Sequence, residues 1–179
     1  MAVCLESARV QFCHRGRRRL TSGATGPSIA SLNMEDPLTL TQDRRTALLA
    51  ACRLFSGVAS PDLASVADRA VEVDFPANHV IARQGEIGTG FFLIVAGSVR
   101  VIRGGQEVAV LGPGEFFGEL SVLDGLPRTA QVAAREPTRC LALASWDFEQ
   151  ALLDSPTLAL SILRGLAARL RSVTEQQNH

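Results

Sequence analysis

Two charged side chains in the second half of the chain are spaced so that together they could hold an anion. Glu119 follows Gly118, and Arg128 lies nine residues further on, directly after Pro127. A guanidinium presents a planar fork of N–H donors that fits the oxygens of a phosphate diester, whereas an ammonium does not. A carboxylate held at a fixed distance from this fork adds an acceptor for a hydroxyl group. The segment from residue 117 to 132 therefore predicts a binding site for a small anion.

Short strands dominate the part of the chain that has to position these two residues. From Val71 to Phe75, apolar residues alternate with acidic ones, which is the period of a half-buried strand. Between turns that mostly contain glycine or proline, further strands are predicted at 79–82, 91–95, 99–103, 107–111, 129–134 and 139–144. About eight short strands separated by turns indicate a mainly β fold, an antiparallel eight-stranded jelly-roll β-barrel with flanking helices.

Helices are predicted on both sides of this barrel, at 43–54, 60–69, from 145 onward and at 157–176. Ser60 and Ser145 are candidate N-caps, because a serine hydroxyl can accept a hydrogen bond from the first turn of a helix. Ser155 and Pro156 give the last helix a similar start signal.

A stripe of apolar residues runs along this last helix. Its members recur at the 4-3-4-3 spacing of a helix–helix seam: Ala159, Leu163, Leu166, Leu170 and Val173. The stripe favours a homodimer in which two such helices pair. Packing of the same stripe on the chain's own barrel remains the alternative.

Residues 1–41 are predicted to form a disordered basic tail, and residues 42–179 the folded domain. Up to residue 33 the tail has a net charge of +4, which leaves −4 for the remainder. An acidic folded part argues against a nucleic-acid-binding body, which needs a basic face. Met34 is an alternative start site, and the tail could instead tether the chain to anionic lipid or RNA.

Several classes of protein are not expected. No apolar run approaches the ~20 residues of a membrane span, and no signal peptide is recognisable, so a cytoplasmic location is predicted. The cysteines have neither disulfide nor metal-ligand spacing and are expected to be buried or idle thiols: Cys4, Cys13, Cys52 and Cys140. There is no catalytic Ser-His-acid set, zinc spacing or Walker loop, so we expect no enzyme activity, no metal and no cofactor.

The sequence resembles the cyclic nucleotide-binding domain family from about residue 50 to residue 176. Gln84-Gly85-Glu86 is similar to an early turn of that family, and the stretch 92–99, with Gly97 at the turn, to its central hairpin. The stretch 117–130 is similar to the family's phosphate-binding cassette and is the most specific of the three motifs. The likeness is to sensor domains of the cAMP receptor protein, or Crp-Fnr, type without a helix-turn-helix.

This resemblance implies a role for each residue of the cassette. Glu119 is expected to accept from the ribose 2′-hydroxyl, and Arg128 to bind the cyclic phosphate. Leu120 is also expected to anchor the cassette helix to the barrel. The other residues expected to contact the ligand are Phe117, Gly118, Ser121, Thr129, Ala130 and Val132. The expected ligand is cAMP, with cGMP left open because the Thr129 hydroxyl could bond the guanine amino group.

The resemblance also places candidate lid residues on the last helix, namely Arg169, Val173 and Thr174, although Arg169 could equally lie on a solvated face. The chain has no tyrosine to cap the base, and Trp146 is expected in the core.

The implied function is a regulatory module that relays ligand binding through its last helix to a protein effector or a dimer partner. The related transcription regulators continue into a helix-turn-helix where this chain ends at His179, so no DNA binding is expected. Two alternatives remain. One is a ligand-free interaction domain with a degenerate pocket, and the other is a truncated transcription regulator.

Overall fold

A computed structural model of the chain describes residues 39–177. Nearly all of the predicted tail, with Cys4, Cys13 and Met34, lies outside the described residues, and its disorder remains a prediction. Leu40, two residues before the expected start of the domain, already contacts the barrel. The backbone N–H of Leu40 donates to Glu72 Oε1 at 2.7 Å.

Eight antiparallel strands form a jelly roll of two facing four-stranded sheets within residues 39–177, which confirms the predicted fold. The sheet orders are β1-β8-β3-β6 and β2-β7-β4-β5. The strands are β1 Val71–Phe75, β2 Val80–Ala82, β3 Gly90–Ala96, β4 Val99–Arg103, β5 Gln106–Leu111, β6 Phe116–Phe117, β7 Gln131–Ala134 and β8 Thr138–Ala144.

Strand β3 joins the barrel interior to the helical layer because successive side chains point to opposite faces. Phe91 packs among the helices, 5.7 Å from the ring of Phe55 and 5.7 Å from that of Phe148. Phe92 points the other way and stacks on Phe117 at 5.0 Å. The nearly unbroken apolar run of β3 therefore reflects burial on both faces. Its contact through Phe92 also holds Phe117, the residue that precedes Gly118 of the cassette.

Five α-helices and one 3-10 turn surround the barrel in the described part of the chain. They are α1 Gln42–Ala51, the 3-10 turn Arg53–Phe55, α2 Ser60–Arg69, α3 Glu119–Asp124, α4 Ser145–Asp154 and α5 Pro156–Gln177. The first predicted helix was too long, because Cys52 has an extended backbone that separates α1 from the 3-10 turn.

Two of the predicted caps are wrong by one residue. Ser60 and Ser145 are the first helical residues, and the N-cap positions are occupied by alanines that make no side-chain capping bond. The third start signal is real, since the N–H of Leu158 donates to Ser155 Oγ at 3.1 Å.

Trp146 is not a core residue, contrary to the prediction, because 42% of its surface is exposed. The inward positions of α4 are Phe148 and Ala151, one turn apart. Trp146 lies off that face of the helix, so its bulk gave a misleading signal.

No single helix within residues 39–177 is long and apolar enough to cross a membrane. Ser145–Asp154 and Pro156–Ala168 meet the length and composition test only when taken together, and they are bent by 114° at the break between them.

The two cysteines in the described region, Cys52 and Cys140, are free and buried, as the sequence predicts. Burial raises the pKa of the Cys52 thiol to about 11 and that of Cys140 to about 12. Both are therefore neutral thiols near pH 7, and neither has the thiolate character of a reactive cysteine.

Candidate functional site

Gly118 turns the chain sharply from β6 into α3. Its φ is +93°, in the left-handed region that side chains with a Cβ rarely adopt. A Cβ at this position would also collide with Arg128 Nη1 and would lie 2.7 Å from the carbonyl oxygen of Gly90. Glycine is therefore required at position 118 for two reasons, the backbone conformation and the lack of space for a Cβ.

Glu119 begins α3 and is almost completely enclosed, with 4% of its surface exposed. Ser121, two residues further along the same helix, is also buried. Burial lowers the pKa of Arg128, and the negative charge of Glu119 opposes this effect, so the two predicted partners act on each other electrostatically. A carboxylate in the first turn of a helix is also stabilised by the helix dipole.

Arg128 is buried as well, with 8% of its surface exposed, and its guanidinium donates to two backbone carbonyls. Nη1 bonds the oxygen of Gly118 at 2.8 Å, and Nη2 bonds that of Gly90 at 2.6 Å. Burial lowers the pKa of Arg128, and the carboxylate of Glu119 partly offsets this effect. The guanidinium therefore links the start of β3 to the start of α3.

The backbone of Arg128 is fixed by the turn that the sequence motif Gln84-Gly85-Glu86 predicts. The N–H of Arg128 donates to the carbonyl of Glu86 at 2.8 Å, and its own carbonyl accepts from the N–H of Gly85 at 2.9 Å. The early turn therefore positions the arginine although it lies about 40 residues away in the sequence.

A guanidinium has five N–H groups, so two bonds to carbonyls do not exhaust it. The arrangement can hold an oxyanion by charge and by the remaining donors, and the buried carboxylate beside it can accept from a hydroxyl. Among residues 39–177, no group of three or more His, Cys, Asp or Glu side chains is placed to hold a metal ion.

Leu120 does not anchor the cassette helix to the barrel, and that prediction is wrong. It is 42% exposed, whereas Val122 and Leu123 on the same helix pack against the core. Successive helical residues point about 100° apart, so Leu120 is turned away from the face that buries Glu119.

The remaining cassette residues lie on the path into the second sheet, and their contact with a ligand stays a prediction. Strand β7 begins at Gln131, two residues later than the sequence predicts, so Thr129 and Ala130 precede it. Thr129 is exposed, and Ala130 and Val132 are buried. Val132 pairs with Val101 of β4.

The candidate lid residues are only partly described. The side chains of Arg169 and Val173 lie outside the described residues. Thr174 is exposed, and its hydroxyl donates to the carbonyl of Leu170 in the same helix at 2.9 Å. A role for these three residues over the ligand remains a prediction.

Two glycines that surround the guanidinium were not among the site residues predicted from the sequence. Gly90 supplies the carbonyl that accepts from Nη2, and a Cβ at Gly88 would collide with Nε and lie 2.5 Å from Cζ of Arg128. Every residue type has a carbonyl, so nothing in the sequence marks Gly90 as an acceptor. The available signal was the pair of glycines just after the predicted turn.

A cleft of about 710 Å³ lies elsewhere on the molecule, between α1, the β5–β6 connection and α5. Cys52, Phe116 and Gly165 are among the residues that line it, and neither Glu119 nor Arg128 is.

Comparisons with known proteins find relatives in a single family. The family model described as the cyclic nucleotide-binding domain matches residues 72–155. A CRP-like cAMP-activated global transcriptional regulator of Mycobacterium tuberculosis is 34% identical over 134 residues, which cover 69% of this chain and 58% of that protein. The cyclic AMP receptor protein of Thermus thermophilus is 41% identical over 102 residues, which cover 54% of this chain and 47% of that protein.

Among solved structures, the catabolite activator protein of Thermus thermophilus superposes with a TM-score of 0.64 at 34% identity. The match covers 70% of this chain and 62% of that structure. The chain thus spans about half the length of the curated relatives it matches. The jelly roll, the cassette with its buried acid and arginine, and these matches place the chain in the cyclic nucleotide-binding domain family, of the CRP-like kind.

Proposed function

We propose that this protein is a regulatory module that binds a cyclic nucleotide, preferentially cAMP, at Glu119 and Arg128. The observation that carries the proposal is the buried guanidinium of Arg128, hydrogen-bonded to two neutral carbonyls beside a buried carboxylate. Removing charges from water costs several kcal/mol per ion, and the attraction between opposite charges inside a protein is often too weak to offset that cost. Such an arrangement suits a site that receives an anion better than it suits a purely structural role.

In the proposed complex, the cyclic phosphate accepts hydrogen bonds from the N–H groups of Arg128 that are not bonded to the carbonyls of Gly118 and Gly90. The ribose 2′-hydroxyl donates to Glu119, and the base lies against the apolar surface near Ala130 and Val132. The preference for cAMP is supported by two of the relatives, a cAMP-activated transcriptional regulator and a cyclic AMP receptor protein. The exposed hydroxyl of Thr129 is the group on which binding of cGMP would depend.

We further propose that α5 relays binding to a second copy of the chain or to a protein effector. Its exposed face differs from the stripe that the sequence suggests, because Leu166 packs against the core and Ala159 is half-buried. One set of exposed residues on α5 recurs at 3-4-3-4 spacing: Leu160, Leu163, Ala167, Leu170 and Thr174. Leu163 and Leu170 are 60% and 68% exposed, which supports a seam between two α5 helices.

A second candidate function is a ligand-free interaction domain. It is favoured by the two hydrogen bonds that Arg128 already makes inside the protein, since they give the guanidinium partners without any nucleotide. In either case the proposed output is regulation rather than catalysis.

Titration calorimetry of the purified chain with cAMP and with cGMP tests the proposal. We expect saturable heat with cAMP. Arg128→Ala removes a charge-assisted contact worth ~1.5–3 kcal/mol, which corresponds to roughly tenfold to a hundredfold weaker binding. Arg103→Ala is the matched control, because it removes an exposed arginine at the end of β4. No heat with either nucleotide would leave only the ligand-free candidate.

A further inference from the structure

We infer that Gly88 is a positioning residue for Arg128, because its missing side chain forms the slot in which the guanidinium lies. The slot is also bounded by Gly118 and by Ser121 of α3. The consequence of this inference for ligand binding rests on the proposed function, whereas the packing on which it depends does not.

The space beside Gly88 is filled by the arginine itself. A Cβ built on Gly88 would collide with Nε of Arg128, lie 2.5 Å from Cζ, and lie 2.7 Å from Cβ of Ser121. Carbon atoms in ordinary contact are about 3.5–4.0 Å apart, so even a single methyl group does not fit. Gly88 has no positive φ, so this conflict arises from space and not from backbone conformation.

The guanidinium cannot move aside without losing its partners. It is held by the bonds from Nη1 to Gly118 and from Nη2 to Gly90, at 2.8 and 2.6 Å. Both acceptors are backbone atoms of fixed elements, so they do not follow a displaced side chain. Gly88→Ala therefore either breaks these bonds or pushes apart the β2–β3 connection and α3.

This geometry predicts that the two positions act as a unit. When Arg128 is shortened to alanine, the two atoms closest to a Cβ at Gly88, Nε and Cζ, are removed. The close approach to Cβ of Ser121 at 2.7 Å remains, so we expect part of the cost of the substitution to persist. Substitutions at positions that share one packing conflict are not additive, whereas those at independent sites are.

The experiment is a double-mutant cycle in urea denaturation, using the full chain without ligand. We expect Gly88→Ala to lower the urea midpoint clearly in the wild-type background and by less than half as much in the Arg128→Ala background. Equal shifts in the two backgrounds would overturn the inference. Gly112→Ala is the matched control, because a Cβ there meets nothing within 4 Å and Gly112 has no positive φ. Its shift is expected to be small and the same in both backgrounds.

If Gly88→Ala alone does not fold, the double variant decides the question. Recovery of a folded protein when Arg128→Ala is added supports the slot, and failure of the double variant to fold refutes it.

The consequence for binding is measured by titration with cAMP. Gly88→Ala is expected to weaken binding roughly tenfold to a hundredfold, as Arg128→Ala does, and the double variant is expected to bind no more weakly than Arg128→Ala. A further loss in the double variant would mean that Gly88 acts on some other part of the pocket. If the wild-type chain binds neither cAMP nor cGMP, the proposed function fails, while the denaturation cycle still tests the slot.

Discussion

Glu119→Gln tests whether the buried carboxylate accepts a hydrogen bond from the ribose 2′-hydroxyl of the ligand. The substitution keeps the size and shape of the side chain and removes its charge. Glu119 is 4% exposed and begins α3, so the amide occupies the same enclosed space. Because the charge of Glu119 also acts on Arg128, the change has two separable effects on a bound nucleotide.

The size of the direct effect follows from the kind of hydrogen bond. A bond to a charged group contributes about 1.5–3 kcal/mol and a neutral one about 0.5–1.5 kcal/mol. Replacing the carboxylate acceptor with an amide oxygen therefore costs about 1–1.5 kcal/mol, which is roughly fivefold to tenfold in affinity. The indirect effect, through Arg128 and the phosphate, applies equally to nucleotides with and without the 2′-hydroxyl.

Calorimetric titration with cAMP and with 2′-deoxy-cAMP separates the two effects. In the wild-type protein, cAMP is expected to bind more tightly than the deoxy ligand. In Glu119→Gln this preference is expected to shrink fivefold to tenfold, whatever happens to the absolute affinities. If both ligands lose the same factor, Glu119 does not accept from the 2′-hydroxyl, and its role is limited to the field around Arg128.

Three further predictions concern stability and assembly. Phe55→Ala is expected to lower the free energy of unfolding by about 3–5 kcal/mol in urea denaturation, because the buried ring meets two others at 5.7 and 6.3 Å; a loss below about 1 kcal/mol would contradict this packing. Arg139 lowers the pKa of Asp74 in the folded protein. The pair therefore stabilises the fold fully above the unfolded pKa of about 3.9, and this stabilisation is lost as the pH falls through the folded pKa of Asp74. The difference in thermal midpoint between wild type and Asp74→Asn should be larger at pH 6 than at pH 2. Leu163→Glu is expected to convert a dimer into a monomer in light scattering. Leu153→Glu is the control and is expected to leave the dimer intact, because Leu153 is at least as exposed as Leu163 but lies on α4. A monomeric wild-type chain would refute the seam.

The barrel could be predicted because its signals are local. Alternating residues mark β1, and the turns that bound the strands contain glycine or proline. Strand β6 was missed since it is only two residues long and follows a loop with two glycines. The error at Leu120 arose because a six-residue helix is too short to show which of its apolar residues face inward.

The environment of the arginine could not be predicted in the same way. Arg128 reaches a carbonyl on Gly90, 38 residues earlier in the chain, and the acceptor is a group that all residues share. The role of Gly88 depends on a side chain that is absent, so it appears only when the elements are assembled. The sequence could identify the charged pair, but it could not show that the guanidinium already has partners in the folded chain.

Helix α5 consists of two parts that cannot respond equally to a ligand. Its first turns are fixed, because Leu158 and Ile162 are buried in the core and a Cβ at Gly165 would lie 3.6 Å from the carbonyl of Arg53. Beyond residue 166, the described side chains are exposed. Segments with few buried contacts open at low free-energy cost, and a ligand shifts an equilibrium only by its differential affinity for the two states.

Saturating cAMP is therefore expected to slow amide hydrogen exchange in the cassette, residues 118–130, and in residues 167–177. Exchange in residues 156–162 should not change. Uniform protection along the whole helix would mean that α5 moves as one body, and protection of the cassette alone would mean that this helix does not carry the signal.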